Sequence, residues 1–451
     1  MNQTLTKIRA TLIGGAVVGV VLTAAAMAGA ATFTVNSRGD ARDRNLDGIC
    51  DAKGTAGVQC TLRGALQEAN ETVARDQIAF DIGRPGEAQT IAPARGLPAI
   101  SASVAIDGYT QPGARENTRA VGDNARILIE VNGESTTAEP GLEIFESDAT
   151  VIRGLAINRF EGAGIRLDAA DDNTVAGNFI GTDATGTKDL GNGRGVVLDV
   201  GSHNRFGGVA PASRNVIAGN GNVGVWISIR ELGPGAIAVA SENRVLGNYI
   251  GTRRNGSTPL GNDDHGVLIQ GSNNDVGGES AAAANVIAHN GGDGVSVGYL
   301  FGVDNAILGN SIYANASGPG SDDRGIRLHG VVLNDAGDGD TGPNNGQNYP
   351  VLTDATSGLF GTSVTGALNS EPLRTYTVQF FANDASKREG ERFLGEQKVS
   401  TDSGGTAAVS FVAATSVPVG DYVTATATDA EGDTSEFSAP RIAEPPESEG
   451  G

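Results

Sequence analysis

Five residues of types used in acid–base catalysis occupy matching positions in a repeated sequence pattern. Each stands one or two residues before a tetrad of glycine, an apolar residue, any residue and a second apolar residue. They are Asp264, His265, Asp293, Asp323 and Arg324. If the tetrads are strands stacked in register, side chains on adjacent strands lie about 4.8 Å apart, and those on alternate strands roughly 10 Å apart.

Such a cluster has the chemistry of a polysaccharide-cleaving site. Carboxylates roughly 5 Å apart suit a retaining glycosidase, and carboxylates roughly 6.5 to 9.5 Å apart suit an inverting one. A neighbouring His or Arg can set their pKa values or bind an acidic sugar. The alternative is a solvated corner where opposite charges pair with a modest gain in stability. The sequence leaves both interpretations open.

Two further residues are candidates for binding a substrate. Trp226 is the only tryptophan of the chain, and its place between Val225 and Ile227 predicts an outward-pointing indole. An exposed indole on a flat face can stack against a sugar ring. Arg194, which precedes an earlier tetrad, is the second candidate. The alternative is that the insert at residues 228–242 folds over the indole.

The elements that must position these residues form a repeat. The tetrad begins at Gly164, Gly195, Gly224, Gly266, Gly294 and Gly325, and Asn178-Phe179-Ile180-Gly181-Thr182 recurs as Asn248-Tyr249-Ile250-Gly251-Thr252. The segments are short, β-branched and bounded by Gly and Asn, which is typical of strands, and no helical pattern separates them. The sequence predicts an all-β fold, a right-handed parallel β-helix, with Asn ladders at its corners and loops where the spacing is long.

The N-terminal residues 1–30 have the features of a signal peptide. Lys7 and Arg9 precede an apolar stretch at residues 12–26, and Ala28-Gly29-Ala30 fits the cleavage rule. We therefore expect an exported protein, either secreted or at the bacterial cell surface, with no stable membrane span after cleavage. An uncleaved anchor is the alternative. The formal net charge of −21 argues against nucleic acid as a partner.

A calcium site and a disulfide are predicted close together. Oxygen-bearing residues alternate in the pattern of a calcium loop at Asp43, Asn45, Asp47 and Asp51, but Gly54 stands where such loops carry Glu. An Asx-rich turn is the alternative. Cys50 and Cys60 are the only cysteines, and we expect one disulfide in an exported chain. A second acidic cluster comprises Asp335, Asp338 and Asp340. Neither zinc nor an organic cofactor is expected.

A resemblance to a known family rests on two neighbouring stretches, Asp47-Gly48-Ile49-Cys50-Asp51 and Cys60-Thr61-Leu62-Arg63-Gly64-Ala65-Leu66-Gln67-Glu68-Ala69-Asn70. The chain resembles bacterial secreted parallel β-helix proteins named for a Cys-Ser-Leu-Arg-Glu-Ala box. Thr61 stands where the box has Ser, and Gly64 where it has Glu. Residues 107–114, 178–183 and 334–344 extend the similarity. The resemblance implies the fold and a secreted or surface setting, but it brings no assigned reaction.

The chain is predicted to divide into two domains. Residues 31–349 form the β-helix with an N-terminal capping helix, for which Thr61 is the N-cap and Leu62, Ala65, Leu66 and Ala69 the buried face. Residues 350–441 alternate apolar and polar positions in short runs, which predicts a small immunoglobulin-like β-sandwich. Residues 442–451 are predicted to be a disordered acidic tail.

Three functions are compatible with this organisation. The first is a non-catalytic protein that binds extracellular polysaccharide, or another surface ligand, along the solenoid face. The second is a polysaccharide lyase or glycoside hydrolase that uses the lateral acidic cluster. The third is a structural spacer or adhesin stalk. The fold alone does not decide among them, because function depends on the site.

Overall fold

The computed structural model describes residues 29–52, 59–298, 301–316, 324–330 and 334–446. The predicted signal peptide therefore lies outside the described residues, apart from Gly29 and Ala30. Within the described ranges, no helix is both long enough and apolar enough to cross a bilayer.

Three long sheets of parallel strands form the N-terminal domain, and each coil of the chain contributes a short strand to each sheet in turn. Sheet A contains nine strands: Thr32–Val35, Asp76–Phe80, Val104–Asp107, Val151–Arg153, Thr174–Ala176, Arg205–Gly207, Arg244–Leu246, Asp275–Gly277 and Ala306–Leu308. Sheet B contains eight: Gln89–Ile91, Ile129–Asn132, Leu155–Asn158, Phe179–Ile180, Val216–Ile217, Tyr249–Ile250, Val286–Ala288 and Ser311–Tyr313. Sheet C contains seven: Leu142–Phe145, Ala163–Asp168, Arg194–Leu198, Val225–Ile227, Val267–Ile269, Val295–Val297 and Ile326–Leu328. The predicted parallel β-helix is confirmed.

The tetrads are strands of sheet C because their alternation separates an inner from an outer face. Ile165 and Leu167 are fully buried in the solenoid core, whereas Arg166 between them is partly exposed. β-Branched and leucine side chains fill the interior along its whole length. The residue between the two apolar positions of each tetrad therefore belongs to the outer face.

Stacked asparagines hold the corners, as the sequence predicts. In each ladder, one amide oxygen accepts both the backbone N–H and the Nδ2–H of the Asn one coil earlier. Three ladders run through Asn173, Asn204, Asn243, Asn274, Asn305 and Asn344; through Asn178, Asn215, Asn248, Asn285 and Asn310; and through Asn192, Asn220, Asn262, Asn290 and Asn315. These bonds satisfy backbone groups that the tight corners leave without a strand partner.

The N-terminal end of the core is covered by the helix Leu62–Ala69. The Thr61 hydroxyl accepts a hydrogen bond from the Gly64 N–H at 2.9 Å, which confirms the predicted N-cap. Leu62, Ala65, Leu66 and Ala69 are buried in the same core cluster as the first strands. The predicted disulfide between Cys50 and Cys60 is present beside this helix.

In the described part of the solenoid, short elements occur at four places outside the three sheets. An antiparallel hairpin, Ile229–Gly233 with Ala236–Val239, forms the insert that follows the Trp226 strand. Single 3-10 turns occupy Gly108–Thr110, Pro211–Ser213 and Pro343–Gly346.

The C-terminal domain consists of two antiparallel sheets that share one core. Sheet D contains Val351–Gly358, Gly361–Asn369 and Thr406–Ala413, and sheet E contains Thr375–Asn383, Arg392–Ser400, Tyr422–Thr428 and Arg441–Ile442. This is a two-sheet sandwich, and its immunoglobulin-like topology stays a prediction.

The predicted tail boundary at residue 442 is wrong. Ala443 is buried, and the Glu444 carbonyl accepts a hydrogen bond from the Ser357 N–H at 2.8 Å. Residues 441–444 therefore pair with other strands of the sandwich, because their backbone hydrogen bonds outweigh the polar composition. Residues 447–451 lie outside the described residues.

The sandwich closes the C-terminal end of the solenoid. Phe437 and Phe381 belong to the hydrophobic cluster of the β-helix and not to that of their own domain. The Glu389 carboxylate accepts the backbone N–H groups of Ala314 and Asn315 at 3.0 and 2.9 Å, so it ends an asparagine ladder. A solenoid needs such a cap because its last coil would otherwise expose core and unpaired backbone.

Candidate functional site

The outer face of sheet C carries the residues that the sequence singles out. Cα pairing between neighbouring strands places one outward residue per coil in a single row. We call this the outer row; it runs through Glu143, Arg166, Val197, Trp226, Leu268, Ser296 and Arg327. Its middle is apolar and aromatic, and both ends are charged.

Trp226 lies at the centre of the outer row with its indole partly exposed. The Arg194 guanidinium carbon lies 5.2 Å from the indole centroid, and the indole N–H donates to Gln270 Oε1 at 3.1 Å. Both contacts fix the ring, because a guanidinium over an aromatic face is attractive and the indole has a single donor. Both predicted binding residues therefore occupy one small surface.

The indole stays partly exposed although a hairpin follows its strand. Arg230, in its first strand, pairs with the Asp168 carboxylate two coils towards the N-terminus. Most hairpin residues are exposed or partly exposed, and Leu232 at its tip is 64 % exposed. The indole is therefore not fully buried on the outer row.

Charged groups flank the indole on its N-terminal side. The Arg166 guanidinium contacts three carboxylates, those of Glu143 at 3.0 Å, Asp168 at 3.2 Å and Asp199 at 2.5 Å. Together these carboxylates raise the Arg166 pKa above its ordinary value, although partial burial works against them. The Arg166 guanidinium is therefore held by the carboxylates of an acidic surface.

Three of the five predicted catalytic residues meet on the other side of the indole. His265 Nδ1 lies 3.5 Å from Asp293 Oδ2, and His265 Nε2 lies 3.6 Å from Asp264 Oδ1. The Asp293 backbone N–H donates to His265 Nδ1 at 2.9 Å, and this shorter contact makes Nδ1 the acceptor. In the neutral imidazole the proton is then on Nε2, on the side of Asp264.

Arg324 is not part of this cluster in the way that the sequence predicts. Its backbone has the expected register, because its carbonyl accepts the Gly294 N–H at 3.3 Å, but its guanidinium pairs with Glu436 of the sandwich. The docked C-terminal domain supplies a buried carboxylate that the repeat pattern does not reveal. Asp323 lies outside the described residues.

Three residues that the sequence analysis missed complete the cluster. Arg327 Nε donates to Asp293 Oδ2 at 2.8 Å, and the Ser296 hydroxyl lies 2.7 Å from His329 Nε2. The imidazoles of His265 and His329 contact each other edge to face, with centroids 6.2 Å apart. Arg327 and Ser296 belong to the outer row, so counting outward positions within the tetrads, instead of the residues before them, would have found both.

The cluster offers one accessible acid–base pair. The Asp293 side chain is only 5 % exposed and is held by Arg327, whereas the Asp264 side chain is 43 % exposed beside His265. Burial lowers the pKa of His329, an effect that the nearby Asp293 carboxylate partly opposes. The geometry thus presents Asp264 and His265 to a ligand and keeps the other groups as support.

In the described part of the chain, two groups of side chains bring ligand atoms close enough together to hold a cation. Atoms of His265, Asp293 and His329 lie within 4.8 Å of one another. The Arg327 guanidinium on Asp293 opposes a cation there. Asp335, Asp338 and Asp340 form the second group, where burial raises the pKa of Asp338 to about 6.

The predicted calcium loop is not one of these two groups, and a carboxylate of the helix lies beside it. Asp43 accepts the backbone N–H groups of Asn45 at 3.1 Å and Asp51 at 2.8 Å. Glu68 accepts those of Asp47 and Gly48 at 3.3 and 2.8 Å, and burial raises its pKa. Backbone N–H groups of the loop thus bind the carboxylates of both Asp43 and Glu68, and calcium stays a prediction.

A groove of about 670 Å³ lies on the outer face of sheet A, on a different side of the solenoid from the outer row. Two side-chain contacts cross it, His203 with Glu242 at 2.7 Å and the ion pair of Arg244 with Asp275 at 3.3 Å. None of the predicted site residues lines it.

No protein-family model and no curated protein matches the chain. Among solved structures, it is similar to tailspike protein 2 from Escherichia coli O157:H7 bacteriophage CAB120, with 11 % identity and a TM-score of 0.24 over 82 % of this chain and 58 % of that one. It is also similar to the tailspike protein gp49 of Acinetobacter baumannii bacteriophage Fri1, a capsular polysaccharide depolymerase, with 9 % identity and a TM-score of 0.19 over 83 % of this chain and 76 % of that one. The chain thus spans little more than half the length of the first. Membership of the Cys-Ser-Leu-Arg-Glu-Ala-box proteins stays a prediction.

Proposed function

We propose that this protein binds extracellular polysaccharide along the outer row of sheet C, without cleaving it. The observation that carries the proposal is Trp226, whose partly exposed indole is held in place by Arg194 and Gln270. An indole fixed in this way offers an apolar face to the C–H groups of a sugar ring at little cost in side-chain entropy.

The surroundings of the indole suit an extended, hydroxyl-rich ligand. Leu268, one coil towards the C-terminus, is partly exposed and extends the apolar surface, whereas Val197, one coil towards the N-terminus, is buried. The Arg166 cluster lies beyond Val197, and Asp264 with His265 directly precede the Leu268 strand; both groups can exchange hydrogen bonds with hydroxyl groups. Because successive coils repeat along the solenoid axis, a polymer lying along it meets each of these groups in turn.

Replacing Trp226 by alanine is expected to weaken polysaccharide binding by about 30-fold or more, because buried aromatic anchors contribute about 2 kcal/mol or more at interfaces. The measurement is affinity electrophoresis, or titration calorimetry, of the full chain on a panel of neutral and acidic bacterial polysaccharides. Trp226→Phe is the matched control and should retain most of the affinity. If Trp226→Ala binds every retained glycan as tightly as the parent protein, the outer row is not the binding surface.

Cleavage of the polysaccharide is the second candidate, and the contact of His265 with Asp264 favours it. With Nδ1 accepting the Asp293 N–H, neutral His265 can donate its Nε2–H as a hydrogen bond to a substrate oxygen, and Asp264 is exposed enough to act on a substrate as a general base. The same panel separates the two functions. Release of reducing or unsaturated ends that disappears in Asp264→Ala would establish an enzyme, whereas retention without product indicates a binding protein.

We also propose that calcium binds the loop of Asp43, Asn45, Asp47 and Asp51, and that residues 1–30 direct export. Calcium at 100 times its Kd should stabilise the folded protein by about 2.7 kcal/mol relative to chelator. Thermal unfolding in calcium and in chelator measures this. Asp47→Ala should abolish the calcium response, whereas Asp335→Ala, in the other acidic cluster, should keep it. A response that survives Asp47→Ala would contradict this assignment.

A further inference from the structure

A long loop between sheets A and B is built by arginines that come from distant coils. Arg214 donates to the carbonyls of Ala120 and Gly122, each at 2.7 Å. Arg254 donates to the carbonyls of Asp123 at 2.7 Å and Ala125 at 3.0 Å. The loop backbone is thus held in one conformation, which makes its outer side chains a preorganised surface.

Within this loop two arginines lie directly opposite each other. The backbone N–H of Arg115 donates to the Arg126 carbonyl at 3.1 Å, and that of Arg126 donates to the Arg115 carbonyl at 2.8 Å. Cα atoms in such an antiparallel pair are about 5.5 Å apart. Like charges in directly opposed positions repel each other. The Arg126 guanidinium donates to the Gly86 carbonyl at 2.6 Å, whereas the Arg115 guanidinium has no such bond in the described part of the chain. An anion bound beside these residues would offset the repulsion between the two like charges.

These arginines line a pocket of about 480 Å³ together with Arg119 and Arg254. Arg115, Arg119 and Arg126 are exposed, and in the described part of the chain no side-chain hydrogen bond or ion pair engages Arg115 or Arg119. Asp123 is the one carboxylate of the described lining, and it is buried and tied to the Ala125 N–H at 2.7 Å. The pocket is therefore strongly positive in a chain whose net charge is −21.

We propose that this arginine pocket binds an oxyanion group, a carboxylate or sulfate, carried by an acidic saccharide. The guanidinium fork matches the geometry of both groups, and its charge-assisted hydrogen bonds are stronger than neutral ones. An acidic chain repels polyanions as a whole, so a local positive pocket selects where they can attach. The oxyanion site is inferred from these arginines alone. That a saccharide carries the oxyanion rests on the proposed function.

The test compares retention of the full chain on immobilised dextran sulfate, polygalacturonate and neutral dextran over a range of salt concentrations. Arg115→Gln combined with Arg119→Gln should lower the affinity for at least one anionic polymer by about tenfold or more, because two charge-assisted contacts are lost. The matched control is Arg75→Gln combined with Arg95→Gln, which removes the same charge from exposed positions near the N-terminal cap. The control should bind like the parent protein.

Thermal unfolding of both double variants verifies that they are folded. An equal loss of affinity in both, or no loss in either, would overturn the proposal, as would failure of the parent protein to bind either anionic polymer. Trp226→Ala separates this site from the outer row. If that variant loses neutral glycans but keeps dextran sulfate, the two sites are distinct, and if it loses dextran sulfate to the same extent, the arginine pocket is not the attachment point.

Discussion

Replacing Phe437 by alanine is expected to destabilise the protein by about 3 to 5 kcal/mol, the usual cost of emptying a buried phenylalanine site. Phe437 is 1 % exposed and packs into the end of the solenoid core beside Phe381, with ring centroids 5.3 Å apart. Its ring lies so close to Gly325 and Gly390 that a Cβ on either residue would collide with it. Loss of the ring therefore opens the junction between the two domains as well as leaving a cavity.

Denaturant unfolding followed by circular dichroism measures this effect. We expect the parent protein to unfold with the two domains coupled, and Phe437→Ala to show a separate, earlier transition for the last coils. Phe360, on the same domain but 94 % exposed, supplies the control, since Phe360→Ala should change stability by less than about 0.5 kcal/mol. If Phe437→Ala and Phe360→Ala have the same denaturant unfolding curve, the sandwich is not the cap of the solenoid.

Replacing Asn248 by alanine is expected to cost about 3 kcal/mol or more. The Asn248 amide is fully buried, and its Nδ2 donates to the Phe206 carbonyl at 2.8 Å and to Asn285 Oδ1 at 3.0 Å. Its oxygen accepts the N–H and the Nδ2–H of Asn215 at 3.2 and 3.0 Å. Each buried group left without a partner costs about 1 to 3 kcal/mol, and alanine orphans several at once.

The same unfolding measurement tests the ladder, with Asn255→Ala as its control. Asn255 is exposed in a loop, where its side chain bonds only to its near neighbours Ser257 and Thr258. Its removal should therefore cost no more than about 1 kcal/mol. If Asn248→Ala is as stable as Asn255→Ala, the stacked amides do not hold the coils together.

The local pattern of the chain was sufficient to predict the solenoid. Tetrads such as Gly164-Ile165-Arg166-Leu167 carry the inward and outward positions in their own alternation, and recurring Asn residues mark the corners. The same register predicted that Asp264, His265 and Asp293 share one edge, and the structure places them in contact. Such inferences succeed because each coil repeats the environment of the previous one.

The repeat pattern could not predict contacts between residues that are distant in the sequence. Arg324 keeps its register, but its guanidinium turns to Glu436, more than a hundred residues away, because the sandwich docks on the last coil. Likewise, the loop that carries Arg115 and Arg119 is shaped by Arg214 and Arg254 from later coils. The sequence shows no periodic signal for either contact, since neither belongs to the repeat.

The most direct test of the proposed function is the fluorescence of Trp226, because no other tryptophan contributes to the emission. Titration with a polysaccharide that the protein binds should shift or quench the emission until it saturates, with the same Kd as in the retention assay. Arg194→Gln should raise the Kd from fluorescence and the Kd from retention by the same factor. Unchanged emission from a protein that is fully bound to its glycan would contradict the account, since the ligand would then lie away from the outer row.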